Sequence, residues 1–362
     1  MTILIFILVL VALIVVHELG HFFAAKWSGM KVEEFGLGYP PRAWTFARRN
    51  GTDYTLNWLP FGGFVRIKGE DADTHEPDSF SAKPRAVQAF VLVAGILMNL
   101  VFAWVLISAT LMIGMPRALT DAEALTAPDA ALAVARVLPG SPAEEAGLRA
   151  GDVLREASSG DEAFRGASPD AFTAFIAGKE GEKVTFIVER AGKTLSLSAT
   201  PEAGVIDAEP SRAALGLGVA AYGTLPVSFL SAPWEGLLLT MEATRQVAIG
   251  LVAFFASVFT LSADFAAVSG PVGIAGAVGD AAGTGLAALL SLTAIISINL
   301  ALINILPIPA LDGGRLLFVL IEAVIRRPLP AAFSGAVNMA GFAFLILLMV
   351  AVTASDLWKL FA

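Results

Sequence analysis

The chain has 362 residues, of which 56% are hydrophobic and only 15% charged, with a mean hydropathy of +0.73. Soluble domains carry about 25% charged residues, so this composition excludes an ordinary water-soluble globule and predicts a polytopic membrane protein. The absence of cysteine excludes disulfides, thiolate metal ligands and thiol catalysis, and a net charge of -8 without a basic cluster argues against nucleic acid as a partner.

Every side chain from Ile3 to Val16 is apolar, and the run His17-Glu18-Leu19-Gly20-His21 follows at once. On a helix, residues four apart share a face, so His17 and His21 can reach one metal, with Glu18 beside them as a carboxylate able to take a proton from activated water. The opposing reading is a chance match on a helix that turns polar groups into a water-filled bundle. No basic n-region or A-x-A site marks the first 25 residues as a cleaved signal, so they are read as a retained span.

Four stretches suit the ~20 apolar residues needed to cross a bilayer, at residues 2–25, 86–113, 286–306 and 332–352. A fifth, 247–262, is short between Arg245 and Asp264 and suits an interfacial helix. Lys and Arg are dense from Lys26 to Arg85 and sparser per residue from Gly114 to Arg245. Short basic loops stay in the cytoplasm, which predicts that the first loop and the loop holding Arg315, Arg326 and Arg327 are inside. Both termini and the middle region are then outside.

In the first loop His75 lies among acidic residues and reads as a solvated loop position, and Gly36 and Gly38 as a turn. Asn99, in the second span, reads as an interhelical hydrogen-bond partner. Residues 129–222 are far less apolar and alternate strand and helix patterns, with turn signals at Pro139-Gly140 and Ala191-Gly192. This region resembles a bacterial PDZ domain in Gly140-Ser141-Pro142-Ala143, Ala146-Gly147-Leu148 and Gly151-Asp152-Val153-Leu154. The resemblance implies that Gly216, Leu217, Gly218 and Val219 form a carboxylate-binding strand to which a peptide end adds. The bland alternative is a glycine-rich strand after a linker. Residues 223–285 read as an interfacial amphipathic segment, with Gly270-Pro271 at a turn.

A catalytic zinc needs a third protein ligand. Asp312 is the candidate: it follows the proline-broken stretch around Pro307 and Pro309, precedes two glycines, and as an ionisable group at membrane depth needs a partner. If the chain crosses at the first three main spans only, Asp312 and His21 lie on one side; otherwise Asp312 is a helix cap or an interhelical partner.

HExxH in a first span, Asn304-Ile305-Leu306-Pro307-Ile308-Pro309-Ala310-Leu311-Asp312-Gly313-Gly314 in a late one, and a PDZ-like insert between them resemble the site-2 protease family, specifically its bacterial RseP-type intramembrane metalloproteases. The resemblance covers nearly the whole chain. It implies a polytopic α-helical membrane protein of four transmembrane helices, with two half-cores at 1–113 and 286–362. It also implies zinc (Zn2+) on His17, His21 and Asp312, Glu18 as general base, and Asn304, Asn299, Pro307 and Pro309 beside the substrate backbone. The family's membrane-inserting β-hairpin would be residues 54–68, with its turn at Phe61, Gly62, Gly63 and Phe64. The implied activity is the second cut in a proteolytic cascade in a bacterial inner membrane, after an upstream site-1-type protease. Its substrates would be single-span proteins such as anti-sigma factors, or leftover signal peptides, cut near the cytoplasmic side of the lipid bilayer. The best-known RseP enzymes carry two PDZ domains where this chain has one. A metal or proton transporter, or an inactive PDZ scaffold, are the alternatives.

Overall fold

In a computed structural model, all residues are described except 71–75, 115, 128, 191, 207, 208, 210, 261–268 and 362. His75 and Ala191 of the turn reading therefore lie outside the described residues. The chain divides into two units, Met1–Thr110 with Ser228–Ala362, and Leu111–Val227.

The first unit begins with α1 (Thr2–Trp27), apolar on every side because only a narrow stripe is buried. Val9, Leu13, His17, Gly20, His21 and Ala24 are covered, whereas Ile3, Leu4 and Leu8 face outward. An all-apolar helix with one packed stripe is what a lipid-facing span requires. Next come strands β1 (Val32–Arg49) and β2 (Thr52–Ile67), joined by a tight turn at Asn50 and Gly51, both with positive φ.

These two strands are bent back on themselves. Phe35 pairs with both Val65 and Tyr54, and Tyr54 pairs with both Phe35 and Ala47. The sheet therefore has four segments, in the order 63–67, 32–37, 53–57, 42–49. This corrects the hairpin expected at 54–68: its two halves do not pair with each other but flank the start of β1, and the hairpin turn lies at Asn50-Gly51. Gly38 (φ 80°) and Gly62 (φ 91°) supply the bends, in a left-handed region closed to most side chains. Gly36 and Gly38 accordingly sit inside a strand rather than in a loop turn.

Helix α2 (Arg85–Ile113) runs antiparallel to α1, with Asn99 beside His17 and Val91 beside His21. In the second unit, β3 (Pro116–Ala118), α3 (Asp121–Ala124), β4 (Ala131–Val137), α4 (Pro142–Glu145), β5 (Val153–Ser159), β6 (Glu162–Phe164), α5 (Pro169–Ala177), β7 (Val184–Arg190), β8 (Lys193–Ala199) and β9 (Leu217–Thr224) follow. The sheet order is β3-β9-β4-β5-β7-β8, with β6 on β5. Val184, Phe186 and Val188 alternate into the core, where Phe172 and Ile176, one turn apart on α5, meet them. Ser168 caps α5 by accepting from the Ala171 N–H, with Pro169 opening the helix.

The chain returns to the first unit as α6 (Ala232–Phe259), α7 (Pro271–Thr284), α8 (Leu286–Ile305), α9 (Asp312–Ile325) and α10 (Ala331–Phe361). Five helices among the described residues, α1, α2, α6, α8 and α10, are long and apolar enough to cross a membrane. Of the expected short segment at 247–262, residues 247–259 are the latter part of the 28-residue α6, and 261 and 262 lie outside the described residues. Arg245 does not end this helix, because Glu242 neutralises it one turn away and also accepts from Gln246. Gly270 is the N-cap of α7, and Asp356 of α10 accepts from the Gly273 N–H at 2.8 Å.

Candidate active site

The imidazoles of His17 and His21 leave the buried stripe of α1 four residues apart, as the helical repeat demands, with ring centroids 4.7 Å apart. His21 fits against α2 only because position 95 lacks a side chain. A Cβ on Gly95 would lie 2.3 Å from His21 Nε2.

Asp312 arrives from 295 residues away, at the first position of α9. Its Oδ2 lies 2.9 Å from His17 Nε2 and 3.3 Å from His21 Nε2, and the two Nε2 atoms are 3.1 Å apart. The two following glycines let α9 start hard against the preceding turn: a Cβ on Gly313 would sit 2.2 Å from the Leu306 carbonyl, and one on Gly314 2.3 Å from that of Ile308. The turn is tied down on its other side, where the Ala310 N–H donates to Asn338 of α10.

The donor set suits a metal. His17, His21 and Asp312 each present one ligand atom, all within 4.8 Å of one another. Two ligands about 2.0–2.1 Å from a tetrahedral zinc stand about 3.4 Å apart, close to the separations found. His21 Nδ1 donates to the Val91 carbonyl at 2.9 Å, which leaves the Nε2 lone pair turned toward the other two ligands. Both histidines are buried and Asp312 is largely so.

Glu18 lines the same cavity, about 360 Å³ in volume, with Tyr39, Gly63 and Val65 of the sheet and Arg315 of α9 on its walls. The sheet edge comes close to the carboxylate: a Cβ on Gly63 would be 3.6 Å from Glu18 Cγ. Residues 63–67 are the outermost segment of that sheet, so among the described residues no strand pairs with their far side. Glu70, just after β2, forms an ion pair with Arg315 and so ties the sheet to α9. A second cavity of about 440 Å³, crossed by the Arg85–Glu322 ion pair at 2.9 Å, shares Glu70, Leu92 and Arg315 with the first.

Other expected positions stand apart from this cavity. Asn299 is half-buried on α8 and donates to the Ile295 carbonyl of its own helix at 2.9 Å. Asn304 is half-buried and Pro307 exposed; Pro309 packs against Gly341 of α10. None of the four, nor Gly62, lines the cavity that holds Glu18, and nothing is described of the Phe61 side chain. Asn99 proves to reach His17 Nδ1 at 3.2 Å, and the spacing Gly95-Asn99, one turn of α2, was the available sequence signal.

In the second unit, residues 217–219 form the start of β9 and pair with β4 on one side. On the other side β3 covers only Tyr222–Thr224, so residues 217–220 keep a free edge among the described residues, with α5 packed against the strand. Gly216 has φ 77°, and its carbonyl accepts from the Leu138 N–H at 2.8 Å. Asp152 is wholly buried; the Arg190 guanidinium beside it, at 2.6 and 2.7 Å, holds its carboxyl below the ordinary range against the opposing effect of burial.

Comparison with known proteins agrees with this geometry. The chain is 34% identical to a Clostridium perfringens protein named as a candidate zinc metalloprotease, over 96% of this chain and 95% of that one. It is 30% identical to the zinc metalloprotease RasP of Geobacillus kaustophilus, over 98% and 97% of the two chains. It is 29% identical to the regulator of sigma-W protease RasP of Bacillus subtilis, over 99% of each. Among solved structures, the PDZ domain of an SdrC-like protein from Listeria monocytogenes matches 25% of this chain and 86% of that chain at 22% identity, with a TM-score of 0.21. The model of peptidase family M50 matches residues 5–348. With both histidines, Glu18 and Asp312 inside that match, the chain belongs to peptidase family M50.

Proposed function

We propose that this protein is an intramembrane zinc endopeptidase that hydrolyses peptide bonds within transmembrane segments. The observation that carries the reading is a general-base carboxylate, Glu18, in one cavity with three convergent ligand atoms and an unpaired strand edge. His17 Nε2, His21 Nε2 and Asp312 would hold the zinc. A zinc ion held there supplies Lewis acidity toward a carbonyl and makes water acidic enough to use near pH 7. Glu18 would accept a proton from the attacking water and pass it to the leaving amine.

A helical peptide bond hides its carbonyl in the helix's own hydrogen bonds, so the substrate must be unwound before attack. The edge at residues 63–67 can receive the unwound chain as an added strand beside Glu18. Asn304 lies outside the cavity that holds Glu18, so its amide would meet only a stretch of the substrate that extends beyond it.

The four-span arrangement, with the active site toward the cytoplasm and the PDZ-like unit outside, draws support from the helix directions. α1 and α8 run toward the same end, since Asp312 follows α8 and meets the histidines late in α1, and α2 runs the opposite way. The stretch between α2 and α8 must then cross an even number of times. For α6 to cross, α7 would have to bring the chain back, and its 14 residues reach only about 21 Å of a ~30 Å core. α6 is accordingly assigned to the interface.

The free edge at 217–220 suits capture of a peptide end. The substrates are single-span proteins of a bacterial inner membrane already shortened by an upstream protease, anti-sigma factors and leftover signal peptides among them. The decisive test is Glu18→Gln in cells or liposomes carrying a tagged transmembrane substrate. Cleavage should stop while zinc content stays unchanged, and continued cleavage would remove the protease assignment.

A further inference from the structure

The far ring nitrogens of the two histidines are held by different kinds of group. His21 Nδ1 faces the Val91 carbonyl, which can only accept, so His21 keeps its proton on Nδ1 and its lone pair on Nε2. His17 Nδ1 faces a side-chain amide, Asn99, which can donate from nitrogen or accept at oxygen.

As found, the Asn99 nitrogen faces the ring at 3.2 Å and donates to Nδ1. The His17 proton then sits on Nε2, where two acceptors wait: Asp312 Oδ2 at 2.9 Å and the His21 Nε2 lone pair at 3.1 Å. In this arrangement the His17 atom that a metal needs carries a proton.

We propose that Asn99 is a positioning residue that sets the tautomer of His17 and reverses its amide when zinc binds. This rests on the zinc reading above. Zinc on His17 Nε2 requires the proton on Nδ1, and that proton then needs an acceptor. Half a turn about the Asn99 Cβ–Cγ bond brings Oδ1 to the same place. The rotation exchanges two atoms of nearly equal size and moves no backbone.

The surroundings permit it. Asn99 is fully buried, and among the described residues its Oδ1 has no hydrogen-bond partner, so turning the amide breaks no other bond there. The residue is fixed by its backbone, whose carbonyl accepts from the Ser297 hydroxyl of α8 at 2.8 Å. Asparagine can serve the empty and the loaded site alike. Aspartate could serve only the loaded tautomer, and leucine neither.

The test compares zinc affinity, by competition with a chromophoric chelator, for the full-length protein and its N99L and N99D variants in detergent. N99L should bind about 10–100-fold more weakly, the usual cost of losing the partner of a metal-bound histidine, and N99D should recover most of that loss. Long-range proton–nitrogen NMR of 15N-histidine protein, with only three histidines to assign, should place the His17 proton on Nε2 without zinc and on Nδ1 with it. His21 should keep its proton on Nδ1 throughout. The proposal is overturned if N99L binds as wild type, if N99D is no better than N99L, or if His17 already carries its proton on Nδ1 in the metal-free protein. If N99L fails to fold, the wild-type spectra decide. Failure of the wild type to bind zinc would instead overturn the metal reading itself.

Discussion

Gly95→Ala adds one methyl group at the point where α2 meets the site, and its effect can be worked from the coordinates. The new Cβ would stand 2.3 Å from His21 Nε2 and 2.7 Å from its Cε1, where ordinary contact begins at about 3.4 Å. His21 must therefore retreat by roughly 1 Å, while metal–ligand distances tolerate only about 0.2 Å. Rotation within the site is blocked on the far side by the hydrogen bond from Nδ1 to Val91. Overpacking of this kind costs about 1–3 kcal/mol, so zinc should bind on the order of 10–100-fold more weakly. The fold itself should survive, because Ala in place of Gly favours a helix interior by about 1 kcal/mol. The assay is zinc affinity by chelator competition, with thermal unfolding of the metal-free protein as control. Wild-type zinc affinity in G95A would refute the claim that this glycine exists to admit His21. Equal loss of affinity and metal-free stability would show instead that α1 and α2 had separated.

Two further predictions concern structure away from the metal ligands. Asp152→Asn should weaken the second unit by about 1.5–3 kcal/mol through its charged hydrogen bonds to Arg190, read as faster amide exchange in β5 and β7 of the intact protein. Because the folded pKa of Asp152 is depressed, its contribution is fully present above the unfolded value near 3.9 and is lost as pH falls through the lower folded value. Wild type should thus lose stability below about pH 4 more steeply than D152N, and parallel acid profiles would count against the ion pair. Asp356→Ala should cost about 1 kcal/mol, because it removes the acceptor for the Gly273 N–H at the start of α7. An unchanged melting temperature in detergent would show that cap to be idle.

Much of the site was legible because its chemistry is local. His17 and His21 needed only a helix to share a face, and Glu18 came with them. Asp312 could be singled out as a carboxylate with no local reason to lie in apolar surroundings. The alternation of Val184, Phe186 and Val188 announced β7 in the same way. The sheet beside the site was misread, since residues 54–68 carry a plausible turn at Phe61-Gly62-Gly63. Which segments pair depends on the bends at Gly38 and Gly62, and a bent strand has the same local pattern as two straight ones. The segment at 247–262 reads as short because the charge at Arg245 looks like a boundary until its pairing with Glu242 along one helix face is seen.

The sequence by itself determined which residue types could bind a metal, that they stand in or beside apolar segments, and that a less apolar stretch interrupts the apolar chain. Only the tertiary structure decided which groups surround them: Gly95 making room for His21, Asn99 against His17, residues 63–67 as the edge facing Glu18, and Asp356 capping α7. The reason is physical. A helix that is apolar all round, as α1 is, carries no pattern to mark the stripe it buries. Contacts between residues 82 and 295 positions apart are then fixed by packing rather than by any local repeat.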